Sequence, residues 1–111
     1  EKAALYTKLL SGKVKCPVEK DGCYHVYHQY TIMTPERDSL QGSLKDAGIS
    51  SVVYYPTPLH LQPALKSLGY KEGDFPVAEK ASREVLSLPM YPSLEEFAIE
   101  KIAKTINDVA K

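Results

Sequence analysis

Apolar residues recur at helical spacing in four segments of the chain. In the first, residues 1–10, they stand at Ala3, Leu5, Tyr6, Leu9 and Leu10. The second segment begins at Thr34 and Pro35, which are typical of a helix cap and of a first helical position. Two more helices are predicted after Asp74 and after Ser93, where Ser-x-x-Glu is the pattern of a capping box.

Three other segments favour extended structure. Residues 24–33 are rich in aromatic and β-branched side chains, and alternation predicts one shared face for Tyr24, Val26, His28, Tyr30 and Ile32. Asp21-Gly22 is typical of a hairpin turn, which would pair these residues with residues 14–18. Residues 49–55 are predicted to form a second strand, and residues 88–92 are predicted to be extended despite two prolines. The order predicts an α+β fold, with a small, mostly antiparallel sheet of three to four strands flanked by helices.

The composition is that of an ordinary globular domain. The chain has 111 residues, 43% of them hydrophobic, which fits one domain with a core of its own. Lys plus Arg and Asp plus Glu both number 14, so no basic surface for nucleic acid or membrane is predicted. Neither a membrane-spanning run nor a signal peptide is recognisable. We therefore expect a cytoplasmic protein that binds neither nucleic acid nor membrane.

Residues 54–63 carry the candidate chemistry. Two tyrosines, His60 and Gln62 fall in a proline-stiffened loop after a strand, where ligand sites tend to lie. His60 is the candidate general acid or base of this loop, because histidine exchanges a proton near neutral pH. The alternative is a structural loop in which His60 caps a helix or packs against tyrosine. The residue types leave both interpretations open.

The remaining cysteines and histidines predict no further site. If Asp21-Gly22 is a two-residue turn, Cys16 and Cys23 do not face each other, so a disulfide is not expected. His25 and His28 should point to opposite faces of their strand and cannot easily share a metal ion. No glycine-rich phosphate loop occurs, and no lysine has the sequence context of a Schiff-base lysine.

Four stretches together carry a more specific signal. They are His25-Val-Tyr-His-Gln-Tyr-Thr-Ile32, Tyr54-Tyr-Pro-Thr-Pro-Leu-His-Leu-Gln-Pro63, Leu68-Gly-Tyr-Lys-Glu-Gly-Asp-Phe-Pro-Val-Ala-Glu79 and Ser87-Leu-Pro-Met-Tyr-Pro92. This combination resembles the C-terminal part of the DegT/StrS-type sugar aminotransferases, and the resemblance covers nearly the whole chain. It implies the small domain of a fold-type-I pyridoxal phosphate (PLP) enzyme. Residues 1–12 would be the inter-domain helix and residues 13–111 the C-terminal small domain.

The resemblance also implies a function. Enzymes of this family work as homodimers and use PLP to move an amino group, usually from glutamate, onto a keto-sugar attached to a nucleotide. The lysine, serine and aspartate that hold PLP lie in the family's large domain. We therefore expect no catalytic, cofactor-binding or metal-binding residue in this chain. What the resemblance assigns here is a substrate-binding role for His60, with Tyr55 and Gln62 as further candidates.

On this interpretation the chain is a fragment of such an enzyme and is inactive alone. The first helix starts without a cap residue, which favours a piece cut from a longer protein. A free-standing binding or assembly module that kept the fold is one alternative, and an unrelated small enzyme that uses His60 is another. Without a large domain, the first helix and one sheet face should expose apolar patches through which the chain self-associates.

Overall fold

The computed structural model describes residues 1–110 as four α-helices, two β-strands and two short 3₁₀ helices. The α-helices are α1 (Lys2–Leu10), α2 (Arg37–Asp46), α3 (Pro76–Glu84) and α4 (Glu96–Val109). The strands are β1 (Tyr30–Met33) and β2 (Val85–Leu88), and the 3₁₀ helices span Leu59–Leu61 and Pro63–Leu68.

The two strands form an antiparallel pair in which Ile32 lies opposite Leu86. A single antiparallel bridge flanks each edge of the pair: Lys15 bridges to Met33 of β1, and Val52 bridges to Ser87 of β2. The predicted α+β class and the antiparallel pairing are confirmed. The expected three to four strands are reduced, within residues 1–110, to two strands with one bridge at each edge.

At each edge, a proline stands where the pairing would continue in one direction. In the observed register, the next hydrogen-bonded pair on one edge would join Pro17 to Thr31, and proline has no N–H to donate. On the other edge, the next such pair would join Ser50 to Pro89, with the same defect. Each edge segment is joined to the sheet by backbone hydrogen bonds at a single residue pair.

The predicted strand over residues 24–33 is wrong in its first six residues. Tyr27 adopts φ of 49°, in the left-handed region, which interrupts an extended run before β1 begins. Tyr24 and Val26 are 88% and 76% exposed, and His28 is exposed as well. These three side chains therefore do not share a buried face with Tyr30.

A turn does form at the predicted position, but it does not close a hairpin. The Cys23 N–H donates to the Lys20 carbonyl at 2.9 Å, with Gly22 at φ of 75°. No strand pairing joins residues 14–18 to residues 24–29 across this turn. Cys16 and Cys23 are both free thiols.

The core lies where α1, α2 and α4 meet the sheet. Its largest fully buried side chains are Tyr6, Leu10, Tyr30, Ile32, Leu40, Leu44, Leu86, Ile99 and Ile106. Along the α1–α4 contact, Asn107 Nδ2 donates to the Leu9 carbonyl at 3.1 Å. The expectation that the first helix would lack cover is therefore wrong, because α4 covers it within this chain.

None of the three residues predicted as helix caps caps the helix that follows it. Thr34, Asp74 and Ser93 precede α2, α3 and α4 without capping them. Thr34 instead stabilises the turn before α2, where its Oγ1 accepts the Glu36 N–H at 3.3 Å. None of the helices within residues 1–110 is long and apolar enough to cross a bilayer.

Candidate functional site

A cleft of about 770 Å³ opens between α3 and the loop that follows Val53. Its walls come from residues 54–70, from Phe75 at the start of α3, and from the α3 residues that face the loop. The lining is mostly aromatic and aliphatic, and the volume is ordinary for a small-molecule site. All three predicted site residues, Tyr55, His60 and Gln62, line this one cleft.

The loop that carries His60 is held by its own backbone and by Gln62. The Leu61 and Gln62 N–H groups donate to the Pro58 and Leu59 carbonyls, at 3.0 and 3.1 Å, and form one short 3₁₀ turn. The side chain of Gln62 reaches back and donates from Nε2 to the Thr57 carbonyl at 3.3 Å. These bonds turn the His60 side chain inward.

His60 is buried and pairs with Glu79 on α3. Its Nε2 lies 2.8 Å from Glu79 Oε1, and the two side chains are 7% and 6% exposed. The Phe75 ring packs edge to face with the imidazole, with ring centroids 4.9 Å apart. The contact therefore fixes both the position and the tilt of the His60 ring.

Glu79 also binds the turn that leads into α3. The Gly73 N–H reaches both carboxylate oxygens, at 2.9 and 3.0 Å, and the Phe75 N–H donates to Oε1 at 3.3 Å. Burial alone would raise the pKa of Glu79, but the hydrogen bonds from His60, Gly73 and Phe75 outweigh it and lower the pKa. Glu79 is therefore an ionised acceptor that joins three segments of the cleft wall.

The second ring nitrogen of His60 is available to a ligand. Nδ1 makes no hydrogen bond within residues 1–110, and it is not among the buried atoms left without a partner. It therefore keeps some exposure to solvent, and His60 is one of the residues that line the cleft. Of the ring's two polar atoms, one is engaged by Glu79 and the other is free to bind.

Tyr55 lies in a different environment from His60. Its side chain is 71% exposed and meets the Tyr54 ring edge to face, with centroids 5.5 Å apart. The phenol has no hydrogen-bond partner among the described residues. The structure thus brings the three predicted residues to one cleft, with His60 buried, Gln62 bonded within its loop and Tyr55 exposed.

Glu79 is the site residue that the sequence reasoning missed. It lies 19 residues from His60, so no local periodicity links the two. One sequence signal was available: an acidic residue in the first turn of a helix that begins with Pro76 often binds backbone N–H groups at that end. That pattern could have identified Glu79 as a cap but not as the partner of His60.

The cleft does not fit PLP by itself. Its lining within residues 1–110 includes no lysine to react with the PLP aldehyde and no arginine or lysine to hold the phosphate. The described residues also contain no group of three or more His, Cys, Asp or Glu side chains that could hold a metal ion. What the cleft offers is an apolar wall with one solvent-facing imidazole nitrogen.

Residues 1–107 match the sequence pattern of the DegT/DnrJ/EryC1/StrS aminotransferase family. The chain belongs to this family. The resemblance found in the sequence is therefore confirmed over nearly the whole chain.

Individual relatives agree with this assignment. The pleiotropic regulatory protein of Geobacillus stearothermophilus is 57% identical over 92% of this chain and 30% of its own length. The UDP-N-acetyl-3-dehydro-alpha-D-glucosamine 3-aminotransferase of Acidithiobacillus ferrooxidans is 39% identical over 94% of this chain and 28% of its own. The crystal structure of S. venezuelae DesV in complex with a ketimine intermediate superposes with a TM-score of 0.94 at 35% identity, over 99% of this chain and 30% of DesV. The chain thus spans less than a third of these relatives.

Proposed function

We propose that this chain forms one wall of the substrate cleft of a PLP-dependent aminotransferase that acts on nucleotide-linked keto-sugars, and that it is inactive alone. The observation that carries the proposal is the cleft itself. The chain belongs to a family of aminotransferases, and its cleft presents His60, which Glu79 holds in place. The described lining of the cleft contains no lysine or arginine that could bind PLP. The parts that hold the cofactor would lie outside this chain. We further propose that the complete enzyme is a cytoplasmic homodimer.

The residues of the cleft have separate roles in this proposal. His60 binds a polar group of the nucleotide sugar through Nδ1, because Nε2 is engaged by Glu79. Tyr55 contacts the substrate from the exposed rim of the cleft, and Gln62 holds the loop and lines its wall. The amine and carbonyl chemistry belongs to PLP, so these residues bind and orient the sugar.

A chimeric enzyme tests this function. This chain would replace the corresponding segment of DesV, and transamination of the DesV substrate would be measured with PLP and glutamate. We expect the chimera to be active. His60→Asn should lower kcat/KM by about 10-fold to 100-fold through a higher KM. A loss of this size is on the order of one hydrogen bond between His60 and the substrate. Lys104→Gln, on the exposed face of α4, is the control and should leave the rate unchanged.

Two results would count against the proposal. One is a folded, PLP-loaded chimera without transaminase activity. The other is an active chimera in which His60→Asn has no more effect than the α4 control.

A non-catalytic regulatory or assembly module is the second candidate function. The observation in its favour is that a relative 57% identical to this chain is a pleiotropic regulatory protein. This alternative predicts that the chimera folds and binds PLP but does not transaminate.

A further inference from the structure

We propose that Glu79 is a positioning residue that keeps the proton of the His60 ring on Nε2 when the ring is neutral, so that Nδ1 faces the cleft as an acceptor for a hydroxyl or amide N–H of the ligand. This inference rests on the proposed function for the identity of the ligand. The arrangement of the proton does not depend on that function and can be tested on this chain alone.

Glu79 is surrounded by hydrogen-bond donors. Three groups converge on its carboxylate: the Gly73 N–H, the Phe75 N–H and His60 Nε2. Two of the three are backbone donors whose direction is fixed. An ionised carboxylate only accepts hydrogen bonds, so the proton between Glu79 and His60 belongs to Nε2.

The neighbours of the His60 ring oppose its rotation. A flipped imidazole would place a carbon atom against Glu79 and lose the hydrogen bond between Nε2 and Oε1, which is costly between two buried side chains. The Phe75 ring, with its centroid 4.9 Å from that of the imidazole, further restricts rotation of the His60 ring. The orientation that donates Nε2–H to Glu79 is therefore strongly favoured over the flipped one.

The position of the proton determines which ligand groups the His60 ring can bind. With its proton on Nε2, a neutral imidazole presents only a lone pair at Nδ1, and a lone pair recognises donors such as hydroxyl and amide N–H groups. A phosphate mainly offers acceptors, and the described lining of the cleft holds no lysine or arginine to bind one. The His60 end of the cleft is thus suited to an uncharged part of a nucleotide sugar, its sugar or its base.

Nitrogen-15 NMR of the full chain at pH 8.5, about two units above the ordinary pKa of a histidine side chain, tests the arrangement, with the His60 ring signals assigned through His60→Asn. We expect a directly detected, slowly exchanging proton on Nε2 and the shift of an unprotonated nitrogen for Nδ1. Glu79→Gln should lose that protected proton signal, because a neutral amide oxygen accepts more weakly. Glu72→Gln is the matched control, exposed in the same turn, and should keep it.

The outcomes are decisive in either direction. A proton on Nδ1 in place of Nε2, protons on both nitrogens, or a protected Nε2 proton that survives Glu79→Gln would overturn the proposal. If Glu79→Gln does not fold, the wild-type spectrum still decides where the proton lies.

A titration separates the two kinds of ligand. Uridine, an uncharged probe with hydroxyls and an imide N–H, should move the Nδ1 signal of His60, and inorganic phosphate should not. A response to phosphate alone, or to neither probe, would contradict the acceptor role of Nδ1. Failure of the chimeric enzyme would refute the proposed function while leaving the proton on Nε2, so the two failures are distinguishable.

Discussion

Tyr6 of α1 and Tyr30 of β1 stack inside the core with their ring centroids 4.9 Å apart, and neither side chain is exposed. Their hydroxyl groups are satisfied in different directions. Tyr6 donates to the Pro89 carbonyl at 3.0 Å, and Tyr30 shares a 2.8 Å hydrogen bond with Thr7 Oγ1. The stack therefore joins the first helix to both the sheet and the segment that follows β2.

Removal of the Tyr6 hydroxyl should show how much this connection contributes to the stability of the fold. Tyr6→Phe keeps the ring stack but leaves the Pro89 carbonyl without its donor, so we expect the free energy of unfolding to fall by about 1 kcal/mol. Urea unfolding measures the change. Tyr24→Phe, at an exposed position, should alter stability by less than about 0.5 kcal/mol. Equal effects of the two substitutions would contradict this account of the core.

The same two tyrosines predict alkaline instability. Burial raises the pKa of both phenols above their ordinary value of 10.0, with a smaller contribution from Tyr91 at Tyr6. Above pH 10 the unfolded chain loses phenolic protons that the folded chain retains, so stability is fully present below pH 10 and falls as the pH rises further. Urea unfolding at a series of alkaline pH values measures the slope. Tyr6→Phe should reduce it, and an unchanged slope would argue against the burial of Tyr6 as its cause.

The lowered pKa of Glu79 predicts that the chain loses stability in acid. Burial tends to raise its pKa, but the hydrogen bonds from His60, Gly73 and Phe75 lower it below the ordinary 4.5. In this range the unfolded chain binds the proton more readily, so the contribution of Glu79 is present above pH 4.5 and is lost as the pH falls through its lowered pKa. Unfolding free energies measured below pH 4.5 should decline less steeply in Glu79→Gln than in Glu72→Gln. Identical acid profiles of the two variants would contradict the prediction.

Exposed apolar side chains predict self-association of the chain. Since α4 covers α1, the candidate surface is not the first helix but the loop of residues 17–29, where Val18, Tyr24 and Val26 are all exposed. Sedimentation equilibrium should show an average mass that rises with concentration. Combining Tyr24→Ser with Val26→Ser should weaken the association, and Phe97→Ser on α4 is the control. A monodisperse monomer at high micromolar concentration would refute this prediction.

Much of the fold follows from local sequence patterns, and the errors have physical causes. The helical spacing around Ile99, Ile102 and Ile106 predicted α4 because one continuous face of that helix is buried. The alternation over residues 24–28 failed because nothing within residues 1–110 covers Tyr24 and Val26. Strand propensity reports a side chain suited to a half-buried sheet and not the presence of a partner strand.

The candidate site was likewise predictable only where its residues are neighbours in the sequence. The stiff loop with His60 was recognisable because its prolines, tyrosines and histidine are contiguous. Its partner Glu79 was not, since the contact closes only when α3 folds back against a loop 19 residues earlier. A lone histidine thus gave the position of the cleft, and the tertiary fold gave the hydrogen bond that orients its ring.

The most direct test of the central claim is covalent trapping of PLP by the isolated chain. The folded 111-residue chain would be incubated with equimolar PLP, reduced with borohydride and analysed by mass spectrometry, with the urea-unfolded chain as the control for nonspecific reaction. Because the described cleft holds no lysine, we predict no more label on the folded chain than on the unfolded one. Stoichiometric label on a single lysine of the folded chain would show that the cofactor site lies within these residues, and the account would be wrong.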